Sequence, residues 1–140
     1  MPRHVYSEIH LHIAWHTRGN VRVIEGALKD RLYHYIRNRV IQTPDAVFHE
    51  IGGIEDHVHL AVSVCPTLLI SEWVGELKGA SAHYINHQVA RRGTLAWQKG
   101  YGVVSFGTKA LPFVLDYIQN QPQHHASGRV HARLEAMGDE

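Results

Sequence analysis

Asp56-His57-Val58-His59-Leu60-Ala61-Val62-Ser63-Val64 is the stretch from which the rest of the chain can be read. Val58, Leu60, Val62 and Val64 make an uninterrupted apolar face, so by the two-residue period of a strand His57 and His59 point together to the opposite face. Their α-carbons stand about 7 Å apart at about 3.3 Å per residue. From there two imidazoles can converge on one cation, although the same spacing also suits two solvent-facing histidines. A pair falls short of the four ligands of a closed zinc site, so a cation held here keeps positions open for water or substrate.

Outward from this strand, residues 46–51 read as its antiparallel partner, with Gly52-Gly53-Ile54-Glu55-Asp56 as the hairpin loop. Earlier, Val5, Ile9, Leu11, Ile13 and Trp15 alternate with polar neighbours in a first strand. Leu28, Leu32, Ile36 and Val40 then recur at intervals of four, predicting an amphipathic helix over 25–41 that Thr43-Pro44 ends. A second helix is expected over 71–91 with Gly93 as its stop, a short strand over 102–106, and a last helix capped by Thr108 with Pro112 in its tolerant first turn. The order is α+β: a ferredoxin-like, RRM-like antiparallel sheet with helices on one face, plus a C-terminal helix. The face without helices would be a platform for nucleic acid or a second subunit.

The 140 residues suit one domain, 1–140, with 126–140 as a loosely ordered polar tail. A 44% apolar and 19% charged composition excludes a disordered scaffold, and a net charge of +1 excludes binding of polyanions by global charge. Cys65 is the single cysteine, which excludes an internal disulfide and cysteine-rich zinc sites and fits a reducing compartment. No segment reads as a signal or membrane span, so the expectation is a cytoplasmic protein with no membrane partner. The 13 histidines nearly equal the 14 lysines and arginines, and their number alone separates none of storage, sensing or catalysis.

The last helix carries Phe113-Val114-Leu115-Asp116-Tyr117-Ile118-Gln119-Asn120-Gln121. Tyr117 and Gln121 share one helical face beside an apolar stripe of Val114 and Ile118. Read alone, this is a half-buried tyrosine with an exposed glutamine, or a phenol and an amide aimed at the histidine strand. Together with Asp56-His57-Val58-His59-Leu60, Leu77-Lys78-Gly79 with Ser81, Trp97-Gln98-Lys99-Gly100-Tyr101, and His124-His125, it resembles the IS200/IS605-type single-tyrosine (Y1) transposases of the histidine-hydrophobe-histidine (HUH) endonuclease superfamily. Residues 5–22, with His12 and Trp15, resemble the family's first strand, so the resemblance spans almost the whole chain.

The resemblance implies a DNA transposase that nicks and rejoins single-stranded DNA. Tyr117 would be its nucleophile, and His57, His59 and Gln121 would be ligands of Mg²⁺ or Mn²⁺. It implies a 5′-phosphotyrosine intermediate, recognition of DNA hairpins at element ends, and a homodimer whose active sites each join the histidine pair of one subunit to the tyrosine helix of the other. Because the phosphotyrosine conserves the phosphoester energy, strand joining needs no nucleotide cofactor, consistent with a chain that has no Gly-x-x-x-x-Gly-Lys loop. Pro122 should end or kink the helix, which leaves open whether Gln121 or a nearby histidine, His124 or His125, completes the metal site.

For DNA, residues 22–41 hold Arg22, Lys29, Arg31, Arg37 and Arg39 against Glu25 and Asp30, while residues 135–140 hold three acids. Lys78, Arg91, Arg92 and Lys99 form a second basic group, and Trp97, Tyr101 and Tyr84 are candidates to stack on unpaired bases. The other histidines, including His12 and His16, read as structural or DNA-facing. Two alternatives share the fold: a catalytically inactive or domesticated hairpin-binding regulator, and a phosphodiesterase that uses water with Tyr117 structural.

Overall fold

A computed structural model describes residues 4–138, so Asp139 and Glu140 of the acidic end lie outside the described residues. Strands β1 (His10–His16), β2 (Ala46–Ile54), β3 (His57–Val64) and β4 (Gly102–Phe106) form one antiparallel sheet in the order β2-β3-β1-β4. Helix α1 (Gly26–Ile41) joins β1 to β2, and α2 (Ile70–Tyr84) joins β3 to β4. This is the ferredoxin-like arrangement expected from the alternation of periods. Three further helices follow: α3 (Leu111–Gln119), α4 (Gln121–Ala126) and α5 (Ala132–Glu135).

The main core lies where the apolar strand faces meet α1 and α2. Leu11, Ile13 and Trp15 of β1 and Val58, Leu60 and Val62 of β3 cluster with Leu32, Ile36 and Val40 of α1 and Trp73, Val74 and Leu77 of α2. Burial of each large side chain contributes about 1.5–3 kcal/mol, so this layer locks the register of β3. Register is what commits His57 and His59 to the other face. Helix α2 is shorter than its periodicity suggests: it loosens into a π turn at Ile85–Val89. There the Asn86 side chain donates to the Leu95 carbonyl and accepts from the Leu95 N–H, both at 2.8 Å, pinning the loop that follows.

Four expectations need correction. Strand β2 runs through both glycines to Ile54, leaving Glu55 and Asp56 as the turn. Gly52 is there for packing: a Cβ would lie 2.3 Å from the backbone oxygen of Ile118 in α3. The sheet face expected to be a free platform is instead the seat of α3, whose Val114 and Ile118 pack on Ala61 beside Phe106 and Leu115. An apolar stripe on α3 needs cover, and Gly52 and Ala61 leave a shallow bed for it.

The third is the tail. Helix α5 docks on β1 and β4, with Leu134 only 2% exposed. The Arg133 guanidinium donates to the Ser105 carbonyl, and the Gly138 N–H donates to the Tyr101 carbonyl at 3.0 Å. Gly102 makes room for this segment, since a Cβ there would meet the Ala136 oxygen at 1.8 Å. Thr108, expected as a helix cap, hydrogen-bonds Glu8 and His10 instead, and α3 starts without a side-chain cap.

Candidate active site

His57 and His59 face the α3 side of the sheet, yet neither is solvent-facing: they are 2% and 0% exposed. Each ring is held through Nδ1. His57 Nδ1 lies 2.7 Å from Asp56 Oδ1, and His59 Nδ1 lies 2.7 Å from His12 Nε2. With Nδ1 protonated in both rings, Asp56 and His12 act as acceptors and both Nε2 lone pairs remain for a ligand. Burial, then the neighbouring His59, pushes the His12 pKa down to about 3, which keeps its imidazole a neutral acceptor. Strand pairing places these groups, because His12 of β1 lies opposite Ala61 and diagonally beside His59 on the same face.

Tyr117 and Gln121 are carried to this pair by α3 and α4. Pro122 breaks the helix as expected: Asn120 leaves helical geometry, and α4 restarts with Pro122 in its first turn. The break aims Gln121 inward, fully buried, with Oε1 3.3 Å from His57 Nε2 and 3.1 Å from His125 Nε2. The Tyr117 ring stands edge-on to His59 at 6.0 Å between centroids and is 2% exposed. His125 thus joins the cluster as well as Gln121, while His124 lies against the Tyr117 ring at 4.8 Å.

Tyr117 reaches the histidine pair of its own chain. Within the single chain, the break at Asn120 and the bed of Gly52 and Ala61 let α3 fold back on its own sheet.

Sequence reasoning missed one residue altogether. Glu135 of α5 enters the cluster, its Oε1 3.2 Å from His59 Nε2 and 3.4 Å from His57 Nε2. Its Oε2 accepts a hydrogen bond from the Tyr117 hydroxyl, which in turn accepts one from the His131 N–H at 2.9 Å. No motif surrounds Glu135. The available signals were Leu134, an apolar residue in a polar tail, and Gly102 facing it.

Electrostatics follow from this packing. Burial opposes charge on His57, but hydrogen bonds to Glu135 and Asp56 outweigh it and raise its pKa. Burial holds the His59 pKa below the ordinary value. Burial also works against Glu135 as an anion, yet the two histidines hold it well below the usual carboxylate range. Burial, then the hydrogen bond to Glu135, raises the Tyr117 phenol to about 12, so this phenol needs help to ionise.

A divalent cation fits these residues. The ligand atoms of His57, His59, His125 and Glu135 all lie within 4.8 Å of one another. His59 Nε2 is buried and makes no well-angled hydrogen bond among the described residues, which leaves its lone pair for a metal.

The residues expected to touch DNA are not all free to do so. Trp97 belongs to the core, edge-on to Trp15, with its N–H donated to Ser81 at 3.1 Å, and only its edge reaches the surface. Tyr84 stacks on Tyr35, and Tyr101 packs against the core. The Lys78 ammonium donates to the carbonyls of Gln98, Lys99 and Gly100, shaping the loop. Arg91 and Arg92 are exposed. A cavity of about 420 Å³ between α2 and this loop is lined by Arg18, Lys78, Gly79, Trp97 and Lys99.

A ferredoxin-like sheet carrying a buried histidine pair under a tyrosine helix defines a class of DNA-processing proteins. The sequence profile of the family "Transposase IS200 like" matches residues 5–121, and the chain belongs to that family. It is 27% identical over 120 residues to the ISDra2 transposase TnpA of Deinococcus radiodurans, covering 81% of this chain and 84% of that one. A solved structure of a candidate transposase from Deinococcus radiodurans R1 superposes with a TM-score of 0.69 at 24% identity, over 86% of this chain and 96% of that one. A REP-associated tyrosine transposase bound to a REP hairpin superposes with a TM-score of 0.64 at 17% identity, over 93% and 75% of the two chains. The protein is thus a transposase of the IS200-like family that acts on DNA. None of its described helices is long and apolar enough to cross a membrane.

Proposed function

We propose that the chain nicks and rejoins single-stranded DNA with Tyr117 as nucleophile and with His57, His59 and Gln121 holding Mg²⁺ or Mn²⁺. The observation that carries this reading is the convergence of Tyr117 and Gln121 on the buried histidine pair. In the reaction Tyr117 Oη bonds to the scissile phosphorus and gives up its proton. The P–O3′ bond breaks, leaving a 5′-phosphotyrosine and a 3′-hydroxyl. A bound divalent cation supplies charge stabilisation at the phosphate oxygens. Asp56 and His12 keep the two imidazoles oriented with their Nε2 atoms toward the cluster.

The DNA partner is a hairpin-forming single strand, supported by the hairpin bound to a structural relative. Lys99, Arg91 and Arg92 are the basic side chains offered to its backbone, with the cavity beside Lys78 and Trp97 as the nearest concave surface. The homodimer implied by resemblance is part of the proposal, each subunit using its own Tyr117. The cytoplasm is the proposed compartment, in line with a lone cysteine.

The test is to incubate the protein and Mn²⁺ with end-labelled hairpin oligonucleotides from the ends of its own element and to look for an adduct that survives denaturation. Label retained by wild type and lost in Tyr117→Phe supports the reading. Salt-sensitive binding with no adduct under any divalent ion would leave a hairpin-binding regulator.

A further inference from the structure

The proposed ligand set of two imidazoles and one amide carries no charge. Hard divalent cations such as Mg²⁺ and Mn²⁺ favour oxygen ligands, and a protein site for Mg²⁺ usually includes one or two carboxylates. In this chain a carboxylate faces both Nε2 atoms, and it comes from α5, beyond the residues 5–121 that match the family.

We propose that Glu135 is a ligand of the divalent cation held by His57 and His59, completing the site with a charged oxygen from the chain's own C-terminal segment. The proposal rests on the metal-dependent reading above.

Distances support it. Adjacent ligands of an octahedral ion with bonds of about 2.1 Å stand about 3.0 Å apart. Glu135 Oε1 is 3.2 Å from His59 Nε2 and 3.4 Å from His57 Nε2, and Gln121 Oε1 is 3.3 Å from His57 Nε2. These separations are close to the edges of such an octahedron, so an ion can enter with small shifts. His125 Nε2, 3.5 Å from Glu135 Oε2, stands at the rim.

The segment is also built to stay. Leu134 is buried beside Glu135, Arg133 ties to β4, and Gly102 leaves room for the backbone at Ala136. Glu135 is itself mostly covered, with 16% of its side chain exposed. An acidic residue held against two histidine nitrogens is costly unless a positive charge satisfies it. A divalent cation between Glu135 and the two imidazoles supplies that charge.

The experiment measures Mn²⁺ binding to the metal-free full-length chain by calorimetry and by loss of the free-ion paramagnetic resonance signal, with no DNA present. Wild type, Glu135→Gln, Glu135→Asp and His57→Ala are compared, and melting curves without metal verify folding. Glu135→Gln is expected to weaken Mn²⁺ by about tenfold or more, and Glu135→Asp, which keeps the charge, to bind more tightly than the glutamine variant. Unchanged or tighter binding by Glu135→Gln, with His57→Ala still weakened, would overturn the role of Glu135 and leave the histidine site standing. Unchanged binding by both variants would overturn the histidine site as well. Should Glu135→Gln fail to fold, Glu135→Ala takes its place: wild-type Mn²⁺ affinity in that variant overturns the proposal.

Discussion

His12 of β1 places its Nε2 2.7 Å from Nδ1 of His59, so a buried imidazole on the neighbouring strand sets which nitrogen of His59 faces the cluster. Replacing it with Leu removes the acceptor and leaves the His59 N–H unpaired. We expect His12→Leu to weaken Mn²⁺ about 10–100-fold, as measured by calorimetry, with the fold retained in circular dichroism. An unchanged affinity would mean that His59 is oriented by its packing alone.

Tyr117 touches the cluster through its ring and its hydroxyl, but its hydroxyl is hydrogen-bonded to Glu135 and His131, not to either imidazole. Tyr117→Phe should therefore abolish the covalent adduct while changing Mn²⁺ affinity by no more than about tenfold, the scale of one hydrogen bond to a charged group. Adduct formation by the variant would remove Tyr117 from the reaction.

The cis placement of Tyr117 can be tested by mixing. A His57→Ala/His59→Ala double variant and a Tyr117→Phe variant are each inactive in the proposed reaction. If each site uses its own tyrosine, a mixture of the two stays inactive in the adduct assay. Restoration of activity toward a quarter or half of wild type would show that α3 exchanges between subunits.

Gly52 lets α3 rest on β2. In Gly52→Ala the new Cβ would sit 2.3 Å from the Ile118 oxygen, so the helix must lift. A loss of about 1–3 kcal/mol in urea unfolding is expected, the usual range for overpacking. Because Gln121 is three residues beyond Ile118, Mn²⁺ affinity should fall too; stability loss with full affinity would mean that α3 moves without α4.

The pH dependence of the metal-free protein follows from two opposite shifts. The Glu135 pKa is lowered from 4.5, so its contribution to stability is present above that value and is lost as pH falls through the folded-state pKa. The His57 pKa is raised from 6.5, so its contribution is present below that value and is lost as pH rises through the folded-state pKa. The buried neutral His12 and His59 add to the acid limb, because their lowered pKa values let the unfolded state take up protons below about 6.5, so the melting temperature should peak near pH 6.5 and decline on both sides. Glu135→Gln should flatten the acid limb, and saturating Mn²⁺ should move the optimum upward, because the ion replaces the proton on His57.

Much of this molecule is written in local pattern. The alternation through Val58, Leu60, Val62 and Val64 is enough to put His57 and His59 on one face, and the four-residue spacing of Leu28, Leu32, Ile36 and Val40 is enough for α1. Pro122 announces the break after α3 because a missing N–H and a ring clash act within one turn. Such features depend on neighbours a few residues away, which is why sequence alone determined the ferredoxin-like order and put Tyr117 and Gln121 on one helical face, while their roles came from the family resemblance. Other features depend on what a residue meets across space. Gly52 looks like part of a loop until α3 lies on it, and Trp97 looks like a stacking platform until Trp15 and Ser81 pack against it. His12 reads as one histidine among 13 until strand pairing sets it beside His59. Glu135 reads as tail charge until Leu134 anchors α5. Only tertiary structure decided these, because hydrogen bonds, van der Waals exclusion and charge pairing act over a few ångströms of space, however many residues of chain lie between.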